Sequence, residues 1–343
     1  MTTPFSTADA IERLTAGNSL TDEQCRLAVG SILDGRTSEA ATAAFLTALR
    51  VKGETGDELF GAVSAIRERM IAFDSGRVGC LDTCGTGGDG ARTVNISTGA
   101  AVVLAACGVP VVKHGNRAAS SSSGSSDVLS VLGVSIDAEP DVLRDGLEEL
   151  GIAFLFAPRF HPGLRTVAAV RGQLPFRTIF NLVGPLCNPA SPCFQLVGVP
   201  SETHAQRMAD ALVKTTSIRR AVVARGSDGL DEVTLGGTTD VILIEDGRTT
   251  RLGWTPDDFG LPTTNAEELR VESPAQSAEM LRRTFAGEDG PARRYILANA
   301  AAALWTVDET PLLEAVDRAA EAIESGKAAA LLERWGRLTR GGG

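Results

Sequence analysis

Up to about residue 72, apolar positions recur at three- and four-residue spacing, the period of an amphipathic helix. No alternating run interrupts them. Ala8 to Leu14 makes one short turn of this kind. Thr21-x-x-Gln24 and Thr55-x-x-Glu58 have the form of capping boxes, in which a hydroxyl and an acid or amide close the first helical turn. Thr37 or Ser38 caps an alanine-rich helix that ends near Gly53. This stretch predicts a small all-helical domain.

The pattern then changes. Short apolar runs at 78–83, 109–112 and 152–156 alternate with helical stretches from Ser97 or Thr98 to Cys107, from Asp127, and over 140–150. Such alternation predicts an α/β fold, a mostly parallel sheet flanked by helices. Residues 159–187 turn helical and loop-like again and are expected to return to the N-terminal helices. Strands resume at 194–199, 221–224 and 241–245, with a helix over about 204–215, and the tail from Pro274 reads as helical. The expected division is 1–72 plus 159–187 as the small α-helical domain, and 73–158 plus 188–343 as the large α/β domain.

The polar residues gather where this pattern predicts strand-to-helix loops. Asp82-Thr-Cys-Gly85-Thr-Gly-Gly88-Asp89-Gly, Asn95-Ile96-Ser97-Thr98 and Lys113-His114-Gly115-Asn116-Arg117, followed by serines 120–123, fall within about fifty residues. Glycines let backbone N–H groups approach a ligand, and clustered N–H groups form an anion nest. Hydroxyls, an amide and a lysine add donors. A parallel sheet binds ligands at the carboxyl ends of its strands, where these loops fall. Together they predict a site for a multiply phosphorylated ligand. Gly85-x-Gly87-x-x-Gly90 is not a dinucleotide fingerprint: Arg92 to Asn95 intervene before any helix, and no acid lies between Asp89 and Asp127.

Asp231-Glu232 follow a predicted strand. Adjacent carboxylates there suit Mg²⁺, with Ser97 offering a hydroxyl, and a solvated acidic turn is the alternative. Arg171 is either a clamp for a carboxylate or an ion-pair partner. His114 either titrates or only hydrogen-bonds, and it is the one weak candidate for a general base.

Composition narrows the class. The 343 residues carry a formal net charge of −10, which opposes a nucleic-acid or anionic-membrane surface. No apolar run reaches membrane-spanning length. The six cysteines form no CxxC pair and read as buried thiols of a reducing cytoplasm.

In combination, Gly85-Thr-Gly-Gly-Asp89-Gly, Asn95-Ile-Ser-Thr98, Lys113-His-Gly-Asn-Arg-Ala-Ala-Ser-Ser121, Gly124-Ser-Ser-Asp127, Arg177-Thr-Ile-Phe-Asn-Leu-Val-Gly-Pro185 and Asp228-Gly-Leu-Asp-Glu232 resemble the anthranilate phosphoribosyltransferase family of tryptophan biosynthesis. The resemblance implies a homodimer of the nucleoside-phosphorylase-like type. It implies Mg²⁺-dependent transfer of phosphoribose from phosphoribosyl pyrophosphate to the amine of anthranilate. Carried over by motif, Gly85, Gly88, Asp89, Thr93, Asn95, Ile96, Ser97, Thr98 and Lys113, His114, Gly115, Asn116, Arg117, Ala118, Ala119, Ser120, Ser121 hold phosphoribosyl pyrophosphate, with Ser125 nearby. Ser97, Asp231 and Glu232 bind the metal, while Gly85, Asn116 and Arg171 meet anthranilate. Thr166 stands where the family commonly has His, and Val94 where it often has Phe. The rivals are a pyrimidine nucleoside phosphorylase and a non-catalytic, nucleic-acid-binding relative of the same fold.

Overall fold

The computed structural model describes residues 5–117 and 123–341. Four helices open the chain: α1 (Thr7–Thr15), α2 (Asp22–Leu33), α3 (Glu39–Lys52) and α4 (Gly56–Arg67). Ser6, Thr21 and Thr55 close capping boxes at α1, α2 and α4, and Ser38, not Thr37, caps α3. Each cap satisfies N–H groups that the first turn leaves without partners.

The chain then alternates: β1 (Leu81–Gly85), α5 (Ile96–Ala106), β2 (Val111–Gly115), α6 (Ser125–Val131), α7 (Pro140–Glu149), β3 (Ile152–Phe156), α8 (Ala157–Phe160) and α9 (Arg165–Gln173). It continues with β4 (Phe194–Gly198), α10 (Glu202–Val213), β5 (Arg220–Gly226), β6 (Thr239–Glu245) and β7 (Arg248–Trp254). It ends in α11 (Pro274–Phe285), α12 (Pro291–Asp308), α13 (Leu312–Glu324) and α14 (Lys327–Thr339). The seven strands form one mixed sheet in the order β3-β2-β1-β4-β5-β6-β7. The first five are parallel; β6 runs antiparallel to β5, and β7 antiparallel to β6.

Alternate residues of each strand enter different cores, as the two-residue period of a strand requires. Phe194, Leu196, Val222, Ala224, Val241 and Leu243 face α5 and the C-terminal helices. Val197, Val199, Ala221, Val223, Ile242 and Ile244 face the other way, in a core shared with α10 and the four N-terminal helices. Val167 and Val170 of α9, with Ile179 and Phe180, join that second core, so the 159–187 segment does return to the N-terminal helices. A third, smaller core lies behind β2 and β3, against α7.

Several element readings change. The first strand is Leu81–Gly85, not 78–83: Val78 is 95% exposed, whereas Cys84 and Gly85 pair with Val197 and Gly198. The second strand is Val111–Gly115, not 109–112, so Lys113, His114 and Gly115 pair with β3 and do not stand in the loop. Asn95 rather than Ser97 or Thr98 stands at the N-cap of α5. Within the helical and loop-like 159–187 segment, α8 ends at Phe160, Pro162–Leu164 forms a single 3-10 turn, and Arg165–Gln173 is α-helical. The strand β7 was not foreseen. Its residues 248–251 are all exposed, so it lacks an apolar alternation. Asp246 (φ +47) and Gly247 (φ +70) join β6 to β7 in the left-handed backbone that two-residue hairpins use.

Candidate active site

The strand order reverses at β1, which lies between β2 and β4. Loops leaving β1 and β4 diverge there and open a crevice at the carboxyl ends of the parallel strands. The crevice is a cleft of about 310 Å³ lined from the loops after β1, β2 and β5, from the start of α6, and by Arg177 and Asn181. Every described residue assigned from sequence lines it except Thr98 and Arg171. Ala118, Ala119, Ser120 and Ser121 lie outside the described residues.

The loop after β1 is shaped by what lies against it. Gly88 (φ +91) occupies a conformation that favours glycine, and a Cβ there would stand 1.8 Å from Arg177 Nη1. Arg177 therefore lies flat on the loop and donates to the Thr86 carbonyl at 2.7 Å. Gly87 N donates to Asp231 Oδ2 at 2.6 Å. Asn95 ties the next segment down: its Oδ1 accepts from Ser123 Oγ (2.7 Å) and from the buried Ser277 Oγ of α11 (2.8 Å). The Thr98 hydroxyl is buried one step behind the cleft.

Asp231 and Glu232 enter from the loop after β5, opposite Asp89. Burial first, and then Asp89 and Glu232, push the Asp231 carboxyl well above the usual range. Burial pushes Glu232 up to about 8, opposed by the Lys113 charge and by a hydrogen bond from the Ser97 backbone. Lys113 is 2% exposed and donates to the Thr83 carbonyl and, at 3.2 Å, to Ser97 Oγ. Burial lowers its pKa, while Asp82 and Glu232 favour its charge. Three carboxylates thus converge with too little positive charge between them. Among the described residues, no group of three or more His, Cys, Asp or Glu side chains closes into a metal cage. A hard divalent cation that takes few protein carboxylates and fills its shell with water and ligand phosphates fits this donor set.

The floor is a network that sequence reading left unassigned. Asp82 accepts from Asn188 Nδ2 (2.8 Å) and from His114 N (3.2 Å), and burial raises its pKa to about 6. Asn188 also donates to the Val112 carbonyl at 2.7 Å, tying β1 to β2. Gly198 was missed as well: a Cβ there would lie 1.6 Å from the Asp231 carbonyl. Arg177 and Asn181 belong to a quoted motif, so their signal was present without a role. Asp82 likewise stood in a quoted run without a role, whereas Asn188 and Gly198 gave no site signal, because only the folded sheet brings them there.

His114 lines the cleft, but both ring nitrogens are engaged. Nδ1 lies 3.2 Å from the Gly184 carbonyl and Nε2 lies 3.2 Å from His161 Nε2. Burial pushes His114 down to about 3 and His161 to about 4. A neutral ring with no free nitrogen is a poor base, which weighs against the one candidate the sequence offered. Arg171 stands just outside the cleft lining, its guanidinium 5.6 Å over the Phe180 ring. Burial, and then the neighbouring Arg177, lower its pKa, and no ion pair neutralises it among the described residues. The cleft thus has an acidic wall at Asp231-Glu232 and a cationic edge at Arg171 and Arg177.

Two family models match. Residues 8–70 fit the glycosyl transferase family helical bundle domain, and residues 77–329 fit the glycosyl transferase family a/b domain. An anthranilate phosphoribosyltransferase of Rhodopirellula baltica is 44% identical over 94% of each chain. The crystal structure of that enzyme from Thermus thermophilus superposes with a TM-score of 0.89 at 39% identity, covering 97% of this chain and 99% of that one. The Saccharomyces cerevisiae enzyme in complex with PRPP and Mg superposes at 0.88 with 27% identity, covering 97% and 98%.

Proposed function

This chain belongs to the anthranilate phosphoribosyltransferase family, and from that premise we propose how its residues divide the work. The enzyme transfers the 5-phosphoribosyl group from phosphoribosyl pyrophosphate to the amine of anthranilate, a step of tryptophan biosynthesis that releases pyrophosphate. The reading as a pyrimidine nucleoside phosphorylase finds no support among these relatives.

The observation that carries the division of roles is the facing of one glycine loop by an acidic pair within a single cleft. Asp231, Glu232 and Ser97 hold Mg²⁺, which supplies charge neutralisation at the departing pyrophosphate. The Gly85–Asp89 loop, Thr93, Asn95–Thr98 and the 113–121 segment, with Ser125, hold the phosphates and the ribose. Asn116, Gly85 and Arg171 meet anthranilate, Arg171 through the carboxylate, since no carboxylate among the described residues pairs with it.

The aniline nitrogen is a weak nucleophile, so bond breaking to pyrophosphate leads and the ribose carbon gains oxocarbenium character. With Thr86 N and Gly87 N engaged by Gly198 and Asp231, the Gly88 and Asp89 amides donate to oxygens on which negative charge grows. Arg177 packs that loop into shape, and the buried Lys113 balances Glu232. Cys84 is no covalent nucleophile: burial and Asp82 push its thiol well above the normal range. With the His114 ring occupied, the amine proton departs to water.

The helices of residues 1–72 and 159–187 form the unit on the anthranilate side and the dimer contact, and 73–158 with 188–343 carry the phosphate side. The protein is a cytoplasmic homodimer that binds no nucleic acid and no membrane. The net charge of −10 opposes a nucleic-acid or anionic-membrane surface, and no helix among the described residues is long and apolar enough to cross a membrane. The test is direct: anthranilate fluorescence falls when phosphoribosyl pyrophosphate and Mg²⁺ are added. Asp231→Ala combined with Glu232→Ala abolishes Mg²⁺-dependent turnover, and near-normal activity in that double variant removes the pair from the mechanism.

A further inference from the structure

Helix α12 carries a buried run of small apolar residues, Ala298 and Ala300 to Ala303, with one polar interruption. Asn299 is 1% exposed. Asparagine is a poor residue for a helix interior, and its amide is costly to bury without partners. Two of its three hydrogen bonds leave the helix. Asn299 Oδ1 accepts from Val233 N at 3.0 Å, and Nδ2 donates to the Val233 carbonyl at 3.0 Å and to the Tyr295 carbonyl at 2.9 Å. The side-chain amide thus grips both polar groups of the residue that directly follows Glu232. One turn earlier, Tyr295 OH lies 3.3 Å from Thr234 Oγ1 and donates to the Thr264 carbonyl at 2.9 Å. Thr234 Oγ1 in turn donates to Asp228 Oδ2. On the other side, the bare backbone of Gly198 receives the Asp231 carbonyl.

We propose that Asn299 is the positioning residue of the metal loop: it clasps the Val233 peptide and so fixes where Asp231 and Glu232 present their carboxylates to the cation. Tyr295 is its accessory, holding the far end of the same turn. The inference rests on the assignment of Asp231 and Glu232 as metal ligands. Asn299 does not line the cleft. It acts through one backbone unit, as outer-shell partners of a metal site do.

Asn299→Ala removes both bonds to Val233 and leaves the helix with its best former. Two readouts separate positioning from bulk stability. Mn²⁺ binding, followed by electron paramagnetic resonance with phosphoribosyl pyrophosphate and without anthranilate, weakens roughly 10–100-fold, the usual loss for an outer-shell partner. Amide exchange across residues 230–235 of the metal-free protein quickens. Thr306→Ala is the control: it is buried in the same helix and its hydroxyl donates only within that helix, to the Ala302 carbonyl. It lowers the melting temperature and moves neither readout. Wild-type Mn²⁺ binding in Asn299→Ala, or equal changes in both variants, overturns the inference. If Asn299→Ala gives no folded protein, Tyr295→Phe carries the same comparison: weaker Mn²⁺ binding and faster exchange support the brace, and unchanged values overturn it. A wild-type protein that binds no Mn²⁺ with phosphoribosyl pyrophosphate sinks the metal assignment instead, while the exchange measurement on metal-free protein still judges the clasp.

Discussion

Gly198 holds its place by lacking a side chain. One added methyl would strike the Asp231 carbonyl, and backbone cannot swing aside as a flexible side chain can. Gly198→Ala therefore displaces the acidic pair: kcat falls at least about 100-fold, as expected when reacting groups are misplaced by about an ångström. The sheet pairing beside it survives, so steady-state kinetics and thermal melting on one preparation distinguish a shifted site from an unfolded one. Arg171 makes a different prediction. A charged hydrogen bond contributes about 1.5–3 kcal/mol, so Arg171→Ala raises the KM for anthranilate roughly 10–100-fold and leaves that for phosphoribosyl pyrophosphate nearly unchanged. Equal effects on the two substrates would reduce Arg171 to a packing role over Phe180.

At the scale of elements, α4 is fixed by a buried charge. Glu58 is fully buried. It accepts from Leu20 N and Thr55 N, both at 2.9 Å, and from Lys52 Nζ at 2.9 Å, so one carboxylate joins α3 to the entries of α2 and α4. Removing the lysine leaves a buried carboxylate short of its counter-charge, which typically costs about 3–5 kcal/mol. The two backbone bonds soften that, so Lys52→Ala loses about 3 kcal/mol in urea unfolding. A loss within a few tenths of zero would mean that water enters and solvates Glu58. The Thr55-x-x-Glu58 box was legible in the sequence because capping chemistry is local. Its second role, accepting from Leu20, was not, since nothing local joins residues 38 apart. The sheet divides the same way. Runs buried on both faces, such as Ile152–Phe156, declared themselves by composition, whereas β7 is polar and was missed. The glycine and hydroxyl loops were readable as parts of one site, and they do line one cleft. Gly198 and Asn299, packed against the acidic loop, and Asn188, in the floor, act by close approach or by capturing a distant group, and neither leaves a periodic trace.

Across the whole molecule, the three cores meet on one sheet, and the N-terminal helices share theirs with α10 and the back of β4 to β6. The His114–His161 pair sits between these layers and makes stability depend on pH. The unfolded chain takes up protons near pH 6.5. The folded protein does not until about 4 at His161 and about 3 at His114. The folded state therefore binds fewer protons in that window, and the contribution of these rings is complete above pH 6.5 and lost as pH falls through it. His161→Gln keeps the polarity without the titration. Its melting temperature lies below wild type at pH 7.5, and the gap narrows by pH 4.5. A gap of constant width would show that the ring is neutral for another reason. The raised Asp231 and Glu232 oppose this trend in both proteins and cancel in the difference.

The tight β6–β7 connection at Asp246-Gly247 lies at the end of the sheet away from the cleft, because β6 runs opposite to its parallel neighbours. Exposed hairpin tips tolerate inserted sequence. A short affinity peptide spliced between Asp246 and Gly247 therefore leaves turnover intact, and the hairpin becomes a handle by which the enzyme can be tethered to a bead or an electrode with its mouth open to the medium.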